Sequence, residues 1–156
     1  INHLSGYDYS ITDTKVGYNM YREYLKELDL IDKYSYEKSI PDCYKFNSVE
    51  NRIKLLNGLM DSDGTVSKNG LYTSFTSTSL KLVNDVREIV QSLGGITTDH
   101  KPKNTFYTYN NEKRKGKTSY TLTITIPSNI NPFSLKRKIV NWVRISAKNT
   151  WAWRNW

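Results

Sequence analysis

Two aspartates stand two residues apart at the end of a predicted helix. Asp61 and Asp63 follow a helical pattern of apolar residues that ends near Met60, and Gly64 comes directly after them. The C-terminal end of a helix carries partial negative charge, so carboxylates placed there are unfavourable by about a few tenths of a kcal/mol. A bound cation reverses the sign of that interaction. The pair therefore indicates a site for a divalent metal ion.

A purely structural interpretation of the same residues competes with the metal site. In it, Asp61 caps a turn and Asp63-Gly64 begins a hairpin, as these residue types commonly do. A calcium loop of the EF-hand kind is excluded, because the twelfth position counted from Asp61 is Tyr72, where a bidentate Glu is required. On the bare Asp-x-Asp-Gly pattern the structural interpretation is favoured.

Any metal bound by this chain has to rely on oxygen ligands. Cys43 is the only cysteine in the sequence, which excludes an intrachain disulfide and a cysteine-based zinc site. His3 and His100 are the only histidines, so a histidine-rich metal cluster is also excluded. Oxygen ligands favour Mg²⁺-like chemistry over zinc.

The composition describes a soluble globular chain with an excess of positive charge. Of its 156 residues, 37% are hydrophobic and 24% are charged, and no apolar run is long enough for a transmembrane helix. The formal net charge is +8 and the sequence pI is about 9.5. Such an excess predicts a polyanionic partner, of which nucleic acid is the commonest. A basic protein without such a partner is the alternative.

The hydrophobic pattern on either side of the aspartates predicts helices and strands in alternation. Helices are predicted over residues 16–28, 48–60 and 79–93 and from residue 132 onward. Asn47 and Glu50 form a capping-box pattern at the start of the second helix. Strands are predicted over residues 65–68, 71–77, 96–101 and 119–126, with Asn69-Gly70 as a hairpin turn. A polar loop precedes the last strand and holds Lys113, Arg114, Lys115 and Lys117.

This order of elements predicts an α+β domain with an antiparallel sheet and helices on one face. Alternation along the second strand places Thr73 and Phe75 on one face and Ser74 and Thr76 on the other. The third helix carries an unbroken apolar stripe for the core. We therefore expect the helices to bury one face of the sheet and to leave the polar face open.

The stretch from Leu56 to Gly64 resembles the LAGLIDADG signature of homing endonucleases. The matching residues are Leu56, Gly58, Leu59, Asp61, Asp63 and Gly64, and the variants are Asn57, Met60 and Ser62. Further similar segments lie within about residues 20–143, and they are Tyr44-Lys45-Phe46, Phe75 to Ser79, Leu93-Gly94-Gly95 and Asn131-Pro132-Phe133. The first of these looks like the lead-in of intein-borne endonucleases. The chain resembles the second repeat of an intein-borne or free-standing two-repeat enzyme.

The resemblance implies a site-specific DNA endonuclease with the αββαββα repeat fold, whose sheet forms a saddle along the DNA major groove. In that family the motif helices of two repeats pack through small residues, here Gly58. The last acidic residue of the motif, here Asp63, is expected to hold Mg²⁺ or Mn²⁺ at the scissile phosphate. Asp61 and Gly64, like Gly58, are expected to have supporting roles.

A lysine near the start of the last helix is often part of the site in this family. Lys136 is the candidate catalytic lysine here, and Lys138 is the alternative. Such a lysine would polarise the attacking water or stabilise the transition state. A solvated basic helix face is an equally good interpretation of either residue.

The resemblance also gives the open face and the basic residues a use in binding double-stranded DNA. Hydroxyl-bearing residues of the open face can bond to base edges, and these are Thr65, Ser67, Tyr72, Ser74, Thr76, Thr121 and Thr123. Basic residues are expected to contact phosphates, and these are Lys68, Lys101, Lys103, Lys113, Arg114, Lys115 and Lys117.

The chain is expected to supply one of the two motifs that a complete site needs. Residues 1–46 look like the tail of a preceding repeat, with a strand near 7–11, residues 47–145 form the domain, and residues 146–156 are a Trp-rich tail. No second Asp-x-Asp-Gly is present, so a missing N-terminal half or homodimerisation would provide the other motif. The alternative function is a non-cleaving DNA- or RNA-binding half-domain, either maturase-like or a fragment of a two-repeat nuclease.

Overall fold

The chain divides between Lys33 and Tyr34 into two compact units. The computed structural model describes residues 15–67 and 72–149. Within these ranges, side chains are described between residues 21 and 142.

The first unit contains one described helix and the turns that follow it. Helix α1 (Lys15–Glu27) confirms the helix predicted over residues 16–28. Asp29 and Asp32 then adopt positive φ angles of 54° and 56°, a conformation that Asp tolerates better than most residues. The strand predicted near residues 7–11 lies outside the described residues.

The second unit contains four helices and five strands within the described residues. In chain order they are α2 (Asp42–Lys45), α3 (Val49–Ser62), β1 (Gly64–Val66), β2 (Thr73–Ser77), α4 (Leu80–Ser92), β3 (Ile96–Asp99), β4 (Lys103–Tyr109), β5 (Glu112–Thr125) and α5 (Lys136–Asn149). Helix α5 confirms a last helix before the Trp-rich end. Trp151, Trp153 and Trp156 lie outside the described residues.

The strands form an antiparallel sheet in the order β1-β2-β5-β3. At its centre Phe75 of β2 pairs with Leu122 of β5, and both side chains are fully buried. β1 pairs with β2 in the antiparallel register that sets Thr65 opposite Ser74, which confirms the predicted hairpin. Its predicted turn, Asn69-Gly70, lies outside the described residues. The α+β architecture with an antiparallel sheet and helices is confirmed.

Helix α4 lies over the sheet because its apolar residues recur with the helical period. Its N-cap is Ser79, whose hydroxyl accepts from the Leu82 N–H at 3.1 Å, and Gly94 (φ 80°) follows its C-terminal end. The predicted core stripe is buried throughout and comprises Leu82, Val83, Val86, Ile89, Val90 and Leu93. Complete burial of each such side chain contributes about 1.5–3 kcal/mol, so this stripe anchors the domain.

The prediction of a polar loop before the last strand is wrong, because β4 and the first half of β5 form a two-stranded β-ribbon there. β4 pairs with the first half of β5 from Lys103 opposite Ser119 to Tyr109 opposite Glu112. The turn between them is Asn110-Asn111, with φ angles of 49° and 61°. Two adjacent positive φ angles are typical of the tight hairpin turn that Asn favours. Both faces of the ribbon are largely exposed, so the sequence lacks the alternation that marks a half-buried strand.

The predicted start of α3 is corrected by one residue. Ser48 is the N-cap, and its hydroxyl accepts from the Asn51 N–H at 3.3 Å. Asn47 lies outside the helix and accepts from the Ser48 N–H at 2.8 Å. Glu50 does not close a capping box and instead pairs with Lys54 at 2.7 Å, one helical turn later.

The last helix begins at Lys136, four residues after the predicted start. Pro132 and Phe133 are buried in the core and precede the helix. The N–H groups of Ser134 and Leu135 bond to a carboxylate of another element, which fixes this segment before the first helical turn. No helix in the described part of the chain is long and apolar enough to cross a membrane.

Candidate active site

A glycine sets the abrupt change from α3 to β1. A Cβ atom added at Gly64 would lie 2.7 Å from Met60 Cα and would also overlap the Met60 carbonyl. Only glycine therefore fits as the first residue of β1, directly after the helix end, without a backbone shift. The consequence is that Asp61 and Asp63 sit on a rigid helix end and not on a loose loop.

The carboxylate of Asp61 accepts hydrogen bonds from the segment that precedes α5. It accepts from the Ser134 N–H at 3.1 Å, from the Leu135 N–H at 3.3 Å and from the Ser134 hydroxyl. Burial alone would raise the pKa of Asp61, but the bonds from Ser134 and Leu135 outweigh it and, with the charge of Lys138, hold the pKa below its usual value. Asp61 thereby ties the end of α3 to the start of α5, and its supporting role in chemistry stays a prediction.

The ammonium group of Lys138 closes the same end of α3. Its Nζ donates to three backbone carbonyls, those of Met60 at 2.8 Å, Asp61 at 2.7 Å and Gly64 at 2.7 Å. Carbonyls in the last turn of a helix lack partners within the helix, and a cation there also meets the favourable end of the helix dipole. Lys138 therefore stabilises the helix end that carries the two aspartates.

The pKa of Lys138 reflects its partly buried position. Burial lowers the pKa below the ordinary lysine value, and the neighbouring Arg137 lowers it further, while Asp61 and Asp63 act in the opposite direction. Lys136, the candidate catalytic lysine, is exposed and makes no hydrogen bond or ion pair within the described residues. Of the two candidate catalytic lysines, Lys138 is therefore the one that contacts the end of α3.

The carboxylate of Asp63 differs from that of Asp61 in that it accepts no hydrogen bond and forms no salt bridge among the described residues, and its interaction with Lys138 is electrostatic only. Asp63 is the C-cap of α3, and its backbone N–H bonds to the Leu59 carbonyl at 3.0 Å. Its side chain is exposed. Of the two motif aspartates, Asp63 is therefore the one left available to a ligand.

An exposed carboxylate is a suitable ligand for Mg²⁺, which prefers oxygen and keeps several water molecules. Asp63 fits that requirement in chemical type. The described residues contain no group of three or more His, Cys, Asp or Glu side chains that could hold a metal ion. Among the described residues, Asp63 therefore does not belong to a ready-made cluster of three such ligands, and its binding of Mg²⁺ stays a prediction.

Gly58 lies on a face of α3 that the described residues leave uncovered. A Cβ atom added there would meet nothing within 4 Å, and the residue is exposed. Asn51, Lys54 and Ser62 are exposed on neighbouring turns of the same helix. The close backbone approach predicted for Gly58 is thus not made by the described residues of this chain.

The open face of the sheet holds most of the hydroxyl-bearing residues predicted to read bases. Thr65, Tyr72 and Thr76 are exposed, and Thr76 bonds to Thr121 across the β2–β5 pair at 2.9 Å. Thr123 bonds to His100 Nε2 at 2.6 Å.

Ser74 lies on the same face but is only 7% exposed, and its contact with DNA stays a prediction. It is a small residue on a central strand, flanked by Thr65 on one side and Thr123 on the other. Ser67 is half-buried, and its hydroxyl accepts from the Tyr72 N–H at 3.1 Å. Lys68 lies outside the described residues.

His100 and Thr98 belong to the open face but were not among the predicted DNA-binding residues. Thr98 pairs with Thr123, and the His100 N–H continues the same ladder by bonding to the Thr121 carbonyl. The alternation of Ile96, Thr98 and His100 was the available signal. The predicted phosphate contacts other than Lys68 are exposed, namely Lys101, Lys103, Lys113, Arg114, Lys115 and Lys117.

A buried ion pair fixes the segment that leads into α3. Asp85, 3% exposed within the core face of α4, accepts from the Ile40 N–H at 2.8 Å and from Lys45 Nζ at 3.1 Å. Lys45 also pairs with Asp42 and Glu88, each at 3.1 Å. The bond to Asp85 raises the pKa of Lys45 against the effect of burial, and those to Asp42 and Glu88 add to it. An acidic residue within an apolar stripe was the sequence signal for this contact.

Comparison with known proteins assigns a family to this arrangement. The model of the LAGLIDADG-like domain matches residues 50–134, just over half of the chain, including both aspartates and all five strands. Over 104 residues the chain is 32% identical to the replicative DNA helicase DnaB of Mycobacterium intracellulare. That alignment covers 67% of this chain and 17% of the helicase, so the chain spans only a small part of that relative's length.

Proposed function

Because the chain belongs to the LAGLIDADG-like domain family, we propose that it is one repeat of a site-specific, homing-type DNA endonuclease. Proteins of this family bind DNA and work as dimers or as two-repeat proteins. The observation that carries the proposal is the free carboxylate of Asp63 at the fixed end of α3. Asp63 stands two residues before Thr65, where the open polar face of the sheet begins.

The side chains around Asp63 have separate tasks in this proposal. Asp63 would hold a divalent ion, Mg²⁺ or Mn²⁺, which supplies activation of water and neutralises charge on the phosphate. Lys138 acts as a positioning residue, because its three protons are donated to backbone carbonyls. Lys136 keeps a free ammonium group that can approach a DNA phosphate, and its catalytic role stays a prediction.

The face of α3 around Gly58, which the described part of the chain leaves uncovered, supports the need for a second motif. Gly58 leaves room for another helix to approach closely, which is how small residues permit tight helix packing. We infer that a second motif helix packs on this face, whether from another repeat of the same protein or from a second copy of the chain. In either arrangement Asp63 lies near the corresponding acidic residue of the second motif.

An origin in an intein or a related mobile element fits two observations. Tyr44-Lys45-Phe46 resembles the lead-in of intein-borne endonucleases, and Lys45 fixes that segment to α4. The aligned stretch makes up 17% of the helicase relative, as expected when such an element is inserted in a larger host protein.

Cleavage of duplex DNA by an Asp63→Asn variant tests the proposal. The chain is incubated with a library of random duplexes and Mg²⁺, and both nicks and double-strand breaks are counted. We expect binding that weakens with salt, together with Mg²⁺-dependent cleavage that Asp63→Asn abolishes without loss of binding. Glu50→Gln removes the same charge from the other end of α3 and should cleave like the natural chain. Equal cleavage by Asp63→Asn overturns the assignment.

The second candidate function is a non-cleaving DNA- or RNA-binding half-domain. It is favoured by the finding that the described residues of one chain contain no group of three or more side chains that could hold a metal ion. In that case neither the natural chain nor Asp63→Asn cleaves, and both bind nucleic acid with the same dependence on salt. Competition between duplex DNA and RNA of the same sequence would identify the substrate.

A further inference from the structure

A cleft lies at the opposite end of α3 from the two motif aspartates. It has a volume of about 280 Å³ and lies between the segment before α3, the start of that helix and the end of α4. The residues that line it include Lys45, Phe46, Arg52, Glu88 and Ile89. Arg52 precedes Asp63 by eleven residues, which corresponds to about 16 Å of helix. The cleft is therefore separate from the candidate active site.

Arg52 brings to this cleft a donor that has no acceptor. Its Nε atom is shut off from solvent and makes no hydrogen bond with any described residue. Its Nη1 atom donates to the Ser92 carbonyl at 3.5 Å, which is long for a hydrogen bond and holds the guanidinium weakly. A buried donor without an acceptor costs free energy. An acceptor that enters the cleft would recover that free energy by pairing with Arg52.

The charges around the cleft select the kind of acceptor. The other cation in the lining, Lys45, is already paired, because its Nζ lies 3.1 Å from carboxylate oxygens of Asp42, Asp85 and Glu88. The exposed carboxylates of Asp42 and Glu88 disfavour a doubly charged phosphate at this place. A carboxylate carries one negative charge, and its two oxygens match the planar edge of a guanidinium group. A carboxylate is therefore the acceptor that fits Arg52 here.

Apolar surface adjoins Arg52 and extends past the cleft. Phe46, in the lining, is 79% exposed, and Val49, one helical turn before Arg52, is 53% exposed. Packing in the core therefore does not account for either side chain. Arginine and aromatic residues are enriched in protein interfaces. The surface thus suits a ligand that carries an apolar side chain next to its carboxylate.

We propose that this cleft binds a peptide segment of a partner protein in which an Asp or Glu side chain stands beside an apolar residue. The carboxylate accepts from the guanidinium of Arg52, and the apolar side chain packs on Phe46 and Val49. Binding satisfies a buried donor and covers exposed apolar surface in one step. The inference goes beyond the proposed nuclease function, because neither Asp63 nor the open face of the sheet takes part.

NMR titration of the full chain with the peptide acetyl-Glu-Phe-amide tests this proposal. We expect the Nε–H signal of Arg52 and the backbone signals of residues 46–52 to shift. Acetyl-Gln-Phe-amide lacks the carboxylate, and acetyl-Glu-Gly-amide lacks the apolar side chain. Each should bind at least about tenfold more weakly than acetyl-Glu-Phe-amide.

Three variants check which side chains bind the peptide. Arg52→Lys keeps the charge but loses the planar fork, so it should weaken binding of acetyl-Glu-Phe-amide at least about tenfold. Phe46→Ala removes an exposed ring, which leaves the core intact, and should weaken binding by a similar factor. Lys54→Gln removes an exposed cation from the same helix and is the control, whose affinity should equal that of the natural chain.

Each other outcome overturns the proposal in a distinct way. Absence of any shift at Arg52 excludes the cleft as a binding site for such a peptide. Equal binding of acetyl-Gln-Phe-amide, or an unchanged affinity in Arg52→Lys, removes the carboxylate contact. Equal binding of acetate replaces the peptide with a small anion, and displacement of the peptide by inorganic phosphate replaces it with a phosphate. Loss of self-association in Phe46→Ala assigns the surface to a second copy of the chain. None of these measurements involves DNA cleavage, so they stand apart from the test of the nuclease.

Discussion

Replacing Lys138 by Met removes the donor that closes the end of α3. Met keeps an unbranched apolar side chain and lacks the ammonium group, so three carbonyls, those of Met60, Asp61 and Gly64, lose their shared partner. A hydrogen bond to a charged group contributes about 1.5–3 kcal/mol. The three bonds share one partly buried ammonium group, and water can reach part of the helix end. We therefore expect a total loss of about 2–3 kcal/mol in the free energy of unfolding.

Thermal and urea unfolding followed by circular dichroism measure this loss. For a chain of this size the expected fall in Tm is about 5–10 °C. Lys136→Met makes the same substitution at an exposed lysine two residues earlier and should change the free energy of unfolding by less than about 0.5 kcal/mol. If Lys138→Met is as stable as Lys136→Met, the three contacts do not hold the helix end, and the positioning role of Lys138 is wrong.

Three further predictions concern contacts at the two ends of α3. Gly64→Ala should lower the free energy of unfolding by about 2–4 kcal/mol because the added Cβ meets the Met60 backbone. Gly58→Ala adds a Cβ in open space and should leave the free energy of unfolding unchanged or raise it by up to about 1 kcal/mol. Equal effects of the two substitutions in denaturant titrations would contradict this geometry. Asp61 has a folded-state pKa below its usual value, so the stability it contributes is present above pH 3.8 and is lost as the pH falls through the lower folded value. Asp61→Asn should accordingly show a smaller fall in Tm on acidification than the natural chain, and an identical acid profile would disprove this. Asp85→Ala should lower the free energy of unfolding by about 2–4 kcal/mol because it breaks a buried ion pair with Lys45. Asp42→Ala removes an exposed partner of Lys45 and should lower the free energy of unfolding by less than about 1 kcal/mol in the same denaturant titration.

The elements with a strong local period could be predicted from the sequence. Helix α4 combines an apolar stripe at helical spacing with Ser79 before it and Gly94 after it, and each feature acts within a few residues. The hairpin of β1 and β2 likewise shows alternation on one buried face. The family resemblance pointed to the same fold.

The ribbon could not be predicted from periodicity, because neither of its faces is buried. Without a buried face, the alternation of Tyr107 and Tyr109 with Phe106 and Thr108 carries no contrast between apolar and polar residues. The Asn110-Asn111 turn was the available local signal. Its two positive φ angles suit asparagine and close the hairpin.

The partners of the motif aspartates are distant in sequence. Lys138 lies 74 to 78 residues from the carbonyls it contacts, and Ser134 lies 73 residues from Asp61. Such contacts leave no local pattern. The sequence therefore located the helix end that carries the aspartates but not the groups that hold it.

We propose that Asp63 is the metal-binding carboxylate of this chain. Titration with Mn²⁺, followed by paramagnetic broadening of backbone amide signals, tests it directly and detects weak binding. We expect the signals of residues 62–65 to broaden first, Asp63→Asn to remove that effect, and Glu50→Gln to retain it. Broadening centred on the paired carboxylates Asp42 and Glu88, or an unchanged pattern in Asp63→Asn, would contradict the account.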